Sequence, residues 1–277
     1  METGETLDSK NEEEIKKSKE SEKPPKTGLV ILGRGIELGR TGSKPKWRPT
    51  SLIEKSVRTG YRLFNLDKGD EETVIGGANA NLLATAQLIE EMDKASKKPE
   101  ILIGAAGCPP YLQSFSPEYP NLAEGKVIFE GLARKVDISE IEQEILKDNV
   151  DSIDDVIVAH QRALDLGLDK LVFITVDVHA PRIRDLIDLV KALNPKFAEV
   201  ESEVLKAEEI LMRRNRRYKK VVQEELNSDA YRRTWNQEQK GRKLLRDGTY
   251  RFKSKNELLK QYPEILHFGK RVFSQPL

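Results

Sequence analysis

The sequence predicts an α/β fold with a mainly parallel sheet flanked by helices and a basic, mostly helical C-terminal extension. Three observations carry this. Short continuous apolar runs of strand length end in glycine, small or polar residues. Amphipathic stripes of helical spacing lie between them, and from about residue 206 the sequence turns polar and rich in Arg and Lys. Strands buried on both faces read as unbroken apolar runs, and their alternation with amphipathic helices argues for βαβ units.

Residues 1–27 hold Lys, Glu, Ser and Pro with almost no large apolar side chain and are expected to be a disordered charged tail. The α/β domain is expected over 28–205 and the extension over 206–277. Leu29-Val30-Ile31-Leu32 is the first strand, ended by Gly33-Arg34-Gly35. Leu82, Ala86, Ile89 and Met92 share a helix face, and Asn79 or Asn81 at its start either caps the helix or contacts a polar ligand. Ile101-Leu102-Ile103 is the second strand, closed by Gly104-Ala105-Ala106-Gly107. Val127, Gly131 and Lys135 mark the seam of the next helix, and Val156, Ala159, Ala163 and Leu166 that of another. Ser152 with Asp155 resembles a capping box at the start of the latter. Leu171 to Val176 is the third strand, and Ile183, Leu186, Ile187, Val190 and Leu193 form the stripe that follows. Ala198, Val200 and Val204 alternate with glutamates, the period of an edge strand. Lys206 to Leu226 reads as one helix carrying a basic run over 213–220.

Composition narrows the function classes. Lys and Arg total 47 and Asp and Glu 46, a net charge of +1. That argues against a polyanion binder acting through its whole surface, though not against a local basic patch. No apolar run approaches the roughly 20 residues that span a bilayer, so no membrane insertion is expected. The first residues lack the basic and apolar regions of a signal peptide. One cysteine excludes an internal disulfide, and three scattered histidines make a structural zinc site an unfavoured reading. The expectation is a soluble cytoplasmic protein with no metal.

Open parallel sheets bind ligands beyond the carboxyl ends of their strands, so the candidate residues lie there. Gly33, Arg34 and Gly35 allow a phosphate or carboxylate to approach the backbone, although the third glycine of a dinucleotide fingerprint is missing. A tight turn is the competing reading. Gly104 and Gly107 bound a small, tight loop, and Cys108 beyond it is either a nucleophile or an inert thiol. Glu124 receives a ligand hydroxyl, acts as a general base, or caps Asn121. Thr175, Asp177, His179 and Arg182 form the most informative cluster. Arg182 and Arg184 stand near the positive end of a helix dipole, a placement that makes sense if an anion binds there. His179 and Arg182 would hold it, and Asp177 would orient His179. His160 is read as a packing or surface residue. The run over 213–220 is either a nucleic-acid contact or a solvated helix face.

The order of these motifs resembles the YdcF-like family, which includes the SanA and ElyC proteins. The resemblance rests on the strand ending in Gly33-Arg34-Gly35, the small residues before Glu124, the segment Asp148 to Asp155, and Thr175 with His179-Ala180-Pro181-Arg182. It covers about residues 28–205. Ser152 stands where the family has Thr, and Asp154-Asp155 replaces Glu-Asn. The resemblance implies a Rossmann-like α/β sandwich and a nucleotide-like ligand, S-adenosylmethionine among the candidates. The expected function is binding of a small anionic or nucleotide-like ligand. Any chemistry would be transfer or hydrolysis at a phosphate-like centre, with His179 as acid or base and Glu124 taking a hydroxyl or proton. The alternative is a nucleic-acid or protein-interaction protein using the basic C-terminal helix.

Overall fold

Five parallel strands form the sheet, and the computed structural model describes them within residues 24–41, 44–50, 77–105, 107, 122–146, 152–214, 216–227 and 229–247. The tail over 1–23, Cys108, Asn121, Asp148 and the sequence beyond 247 lie outside the described residues. In chain order the elements are β1 (Thr27–Ile31), β2 (Ile36–Thr41), β3 (Lys44–Pro49), α1 (Ala78–Lys94), β4 (Ile101–Gly104), α2 (Glu124–Leu132) and β5 (Glu142–Ile145). There follow α3 (Ser152–Leu166), β6 (Lys170–Thr175), α4 (Ala180–Leu193), a 3-10 turn (Pro195–Glu199), β7 (Glu201–Lys206), α5 (Ala207–Arg214), α6 (Arg216–Leu226) and α7 (Asp229–Arg246). The sheet order is β5-β4-β1-β6-β7, while β2 and β3 pair antiparallel as a separate two-stranded sheet. The α/β class with a Rossmann-like parallel sheet is therefore as expected. Among the described residues, no helix is long and apolar enough to cross a membrane.

Alternation along each strand divides the core between the two faces of the sheet. Leu29 and Ile31 face one way with Leu102, Val172 and Ile174, against Leu82 and Ile89 of α1, Ile128 and Leu132 of α2, and Ile210 of α5. Val30 faces the other way with Ile101, Ile103, Leu171 and Phe173, against α3 and the expected α4 stripe Ile183, Leu186, Ile187, Val190 and Leu193. The central strand β1 is fully buried because both faces are covered.

Several local expectations change. β5, with the sequence Glu-Gln-Glu-Ile, is an additional edge strand paired only with β4. The single helix expected over Lys206 to Leu226 is described as two, Ala207–Arg214 and Arg216–Leu226, and it starts one residue later because Lys206 is held in β7 opposite Thr175. The basic run therefore straddles α5 and α6. α5 belongs to the main core: Ala207, Ile210 and Leu211 are buried, and Gln87 Nε2 donates to Ile210 O at 2.9 Å. Gly77 caps α1, and Asn79 and Asn81 lie inside the helix.

His160 is a core histidine. It is fully buried between the rings of Phe173 and Phe197, with centroids 5.7 and 5.5 Å away. One ring nitrogen faces Val156 O at 2.7 Å and the other Ser202 Oγ at 2.9 Å. A carbonyl only accepts, so the proton is on Nδ1 and the Ser202 hydroxyl donates to Nε2. Burial pushes its pKa down to about 4.

Two glycines set how closely α2 sits on the sheet. A Cβ on Gly125 would lie 2.8 Å from Gly104 O, and one on Gly104 would lie 3.1 Å from Gly125 Cα. The obstacles are backbone, so neither can swing aside. Gly125→Ala should therefore cost about 1–3 kcal/mol in urea unfolding, as for other overpacked sites. An unchanged midpoint would show that α2 has slack over β4.

Candidate functional site at the carboxyl edge of the sheet

From β1 the chain moves to one side of the sheet, to β4 and then β5, and crosses back to β6 and β7 on the other side. β1 and β6 are therefore adjacent strands whose connections leave in opposite directions, the place where such sheets form a crevice. The turns after these two strands carry most of the candidate residues.

The turn after β1 is fixed by its backbone. Gly35 has φ +96°, a conformation that side chains disfavour. Its amide donates to Glu124 Oε2 at 2.9 Å, and its carbonyl accepts from Thr50 N at 3.1 Å. Glu124 is 3 % exposed and opens α2, with its own amide donating to Gly107 O at 3.0 Å. Its carboxylate thus ties the first-strand turn to the second-strand helix. Gly107 contributes a carbonyl that meets an otherwise open helix amide. Gly104, expected to face a ligand, instead lets α2 close on β4.

After β6, Thr175 Oγ1 lies 3.0 Å from His179 Nδ1, and Arg182 Nη2 lies 2.8 Å from His179 Nε2. A guanidinium only donates, so Nε2 accepts and the proton is on Nδ1, facing Thr175. Burial holds the His179 pKa well below its ordinary value, and the charges of Arg182 and Arg34 add to the shift. The imidazole is therefore neutral at pH 7, with its lone pair engaged by Arg182. Asp177 does not orient it. The Asp177 carboxylate binds Lys206 Nζ at 2.8 Å and accepts from the Tyr231 hydroxyl. The Asp177 amide donates to Glu208 Oε2 at 2.7 Å. Burial, then the Asp177 carboxylate, pushes the Tyr231 pKa up.

The negative charge beside Arg182 in the structure is a carboxylate of the chain itself. Glu238 of α7 places Oε1 3.1 Å from Arg34 Nη1 and Oε2 2.9 Å from Arg182 Nε, the second as an ion contact rather than a hydrogen bond. The side chains are 13 %, 19 % and 9 % exposed for Arg34, Arg182 and Glu238. Burial pulls the Arg34 pKa below its ordinary value, opposed chiefly by Glu238. Two guanidiniums thus meet two carboxylates, Glu124 and Glu238, around a neutral histidine.

The structure brings Arg34, Gly35, Glu124, Thr175, His179 and Arg182 together, with Gly33 in the turn between. Asp177 turns toward the C-terminal helices. Sequence reasoning missed Glu238. Glu238 lies on a stripe Tyr231, Trp235, Glu238, Arg242 and Leu245 at helical spacing, a signal present in the sequence. Asn81 is fully buried, and its Nδ2 donates to Leu32 O at 2.7 Å beside the same turn. Its Oδ1 is buried without a hydrogen-bond partner. Among the described residues, no group of three His, Cys, Asp or Glu is placed to hold a metal ion. Comparisons with protein-family models, with curated proteins and with solved structures found no match.

Proposed function

We propose that the protein binds a small ligand through an anionic group in the crevice between the ends of β1 and β6. Arg34 and Arg182 hold the anion. The observation that carries this reading is their convergence on one carboxylate from the ends of two adjacent strands. Desolvating two guanidiniums costs several kcal/mol per ion, and apolar packing closes such a crevice more cheaply. His179 is a positioning residue: its Nε2 aims Arg182, and its Nδ1–H donates to Thr175 Oγ1. Glu124 and the Asn81 Oδ1 are acceptors beside the same turn, suited to a ligand hydroxyl or amine. The resemblance to the YdcF-like family supports a nucleotide-like ligand, S-adenosylmethionine among those to be tested.

The test is a thermal-shift titration with inorganic phosphate, S-adenosylmethionine, nucleotides and sugar nucleotides. Wild type should show saturable stabilisation by at least one of these, about 2.7 kcal/mol at 100 times Kd. Arg182→Ala should abolish it. No shift with any ligand, in wild type or in Glu238→Gln, overturns the reading.

A further inference from the structure

We infer that Glu238 is an internal stand-in for the ligand, that a phosphomonoester group displaces it, and that binding thereby releases α7 from the crevice. This rests on the anion-binding reading above and adds the ligand class and the regulation of the same site. Glu238 offers one oxygen to each arginine. Because it belongs to the same chain, it competes at an effective concentration of order millimolar or higher. A ligand carboxylate would replace like with like, with the same charge and the same two oxygens, and would gain nothing against a tethered rival. A phosphomonoester brings three acceptor oxygens and a charge of about −1.5 to −2 at pH 7 to two guanidiniums. Charge and oxygen count therefore select phosphate over carboxylate.

The attachment of α7 suits release. Of its described apolar residues only Leu245 is buried, while Leu244 is 42 % exposed and Tyr231 and Trp235 are partly buried. It also has polar anchors. Arg242 bonds both oxygens of Asp185 at 2.6 and 3.2 Å, and Tyr231 donates to Asp177. Water replaces such contacts at small cost, and elements with little buried apolar surface open most readily. Lys206 also pairs with Asp177, so that carboxylate keeps a cation when Tyr231 leaves.

The experiment uses the full-length protein, calorimetric titration with inorganic phosphate, acetate as the carboxylate control, and hydrogen exchange of the α7 amides. Wild type should bind phosphate at least tenfold more tightly than acetate, with faster α7 exchange at saturation. Glu238→Gln should bind phosphate at least tenfold more tightly than wild type. Arg242→Ala, whose pairing lies on α4 outside the site, should bind it several-fold more tightly, so the result does not depend on Glu238→Gln folding well. Equal phosphate affinity in all three proteins, or unchanged α7 exchange at saturation, overturns the internal ligand and leaves the anion site standing. Acetate binding as tight as phosphate overturns the ligand class. Failure of all three proteins to bind either anion overturns the inference and the anion site together.

Discussion

Glu238→Gln should lower the stability of the ligand-free protein by about 3–5 kcal/mol in urea unfolding, the usual cost of breaking a buried charge cluster from one side. The substitution keeps the size of the side chain and removes its charge, so packing is conserved while the field is not. Arg34 and Arg182 would then face each other in a crevice where both are largely shielded from water. Burial and Arg182 already weaken the charged form of Arg34, and Glu238 is the largest opposing influence. Arg242→Ala is the contrast. Its pair with Asp185 is more open, with side chains 24 % and 26 % exposed, and its loss should cost no more than about 1 kcal/mol. A loss below 1 kcal/mol for Glu238→Gln would mean that water reaches both guanidiniums. Saturating phosphate should recover most of what the variant loses, because it supplies the missing negative charge.

Acidification should remove about 2–3 kcal/mol of stability between pH 7.5 and 4.5 through His160 alone. The folded pKa is about 4, and the ordinary value is 6.5. Below pH 6.5 the unfolded chain takes up a proton that the folded protein refuses, so stability falls with pH down to about 4 and then levels. The refusal has a structural cause: burial beside Phe173 and Phe197 keeps water from the ring, and the Lys191 charge adds to the effect, while the Val156 carbonyl opposes it. His179 shifts in the same direction, with burial as the main cause and two arginines adding to it. The carboxylates also titrate in this range, so the informative quantity is the difference between wild type and His160→Gln. Urea midpoints measured at half-unit steps should fall more steeply in wild type. Parallel curves would show that the His160 ring is solvated or charged in the native state.

The sequence made the central strands legible and the edges less so, for one physical reason. β1, β4 and β6 are covered on both faces and read as unbroken apolar runs. β5 borders the sheet, and the ion pairs of Glu142 and Glu144 with Arg162 of α3, at 3.2 and 2.6 Å, take the place of an apolar face. Its sequence therefore resembles a loop. β7 is also an edge, but of the alternating residues only Val204 lies in it: Ala198 is in the 3-10 turn and Val200 follows that turn. The start of α5 is invisible locally, since helical periodicity begins at Lys206 and only pairing to β6 holds that residue in the strand. In the site, Arg34, His179 and Arg182 were legible because they follow apolar runs, and Arg182 because it stands where the helix dipole disfavours a cation. Glu238 was not, since Arg34 lies 204 positions away in the chain. Proximity in sequence pairs Asp177 with His179, but Thr175 is the residue that the turn brings against the ring.

The same long separation sets an order of events during synthesis. Every strand of the parallel sheet precedes α7, so Arg34 and Arg182 both leave the ribosome before Glu238 has been made. At ordinary translation rates the interval from Arg182 to Glu238 lasts about 3–11 s, long compared with the folding of many small domains. Until then Glu238 cannot answer the two guanidiniums, and anions dissolved in the surrounding water can reach them beside Glu124. The two arginines thus meet solution anions before they meet Glu238.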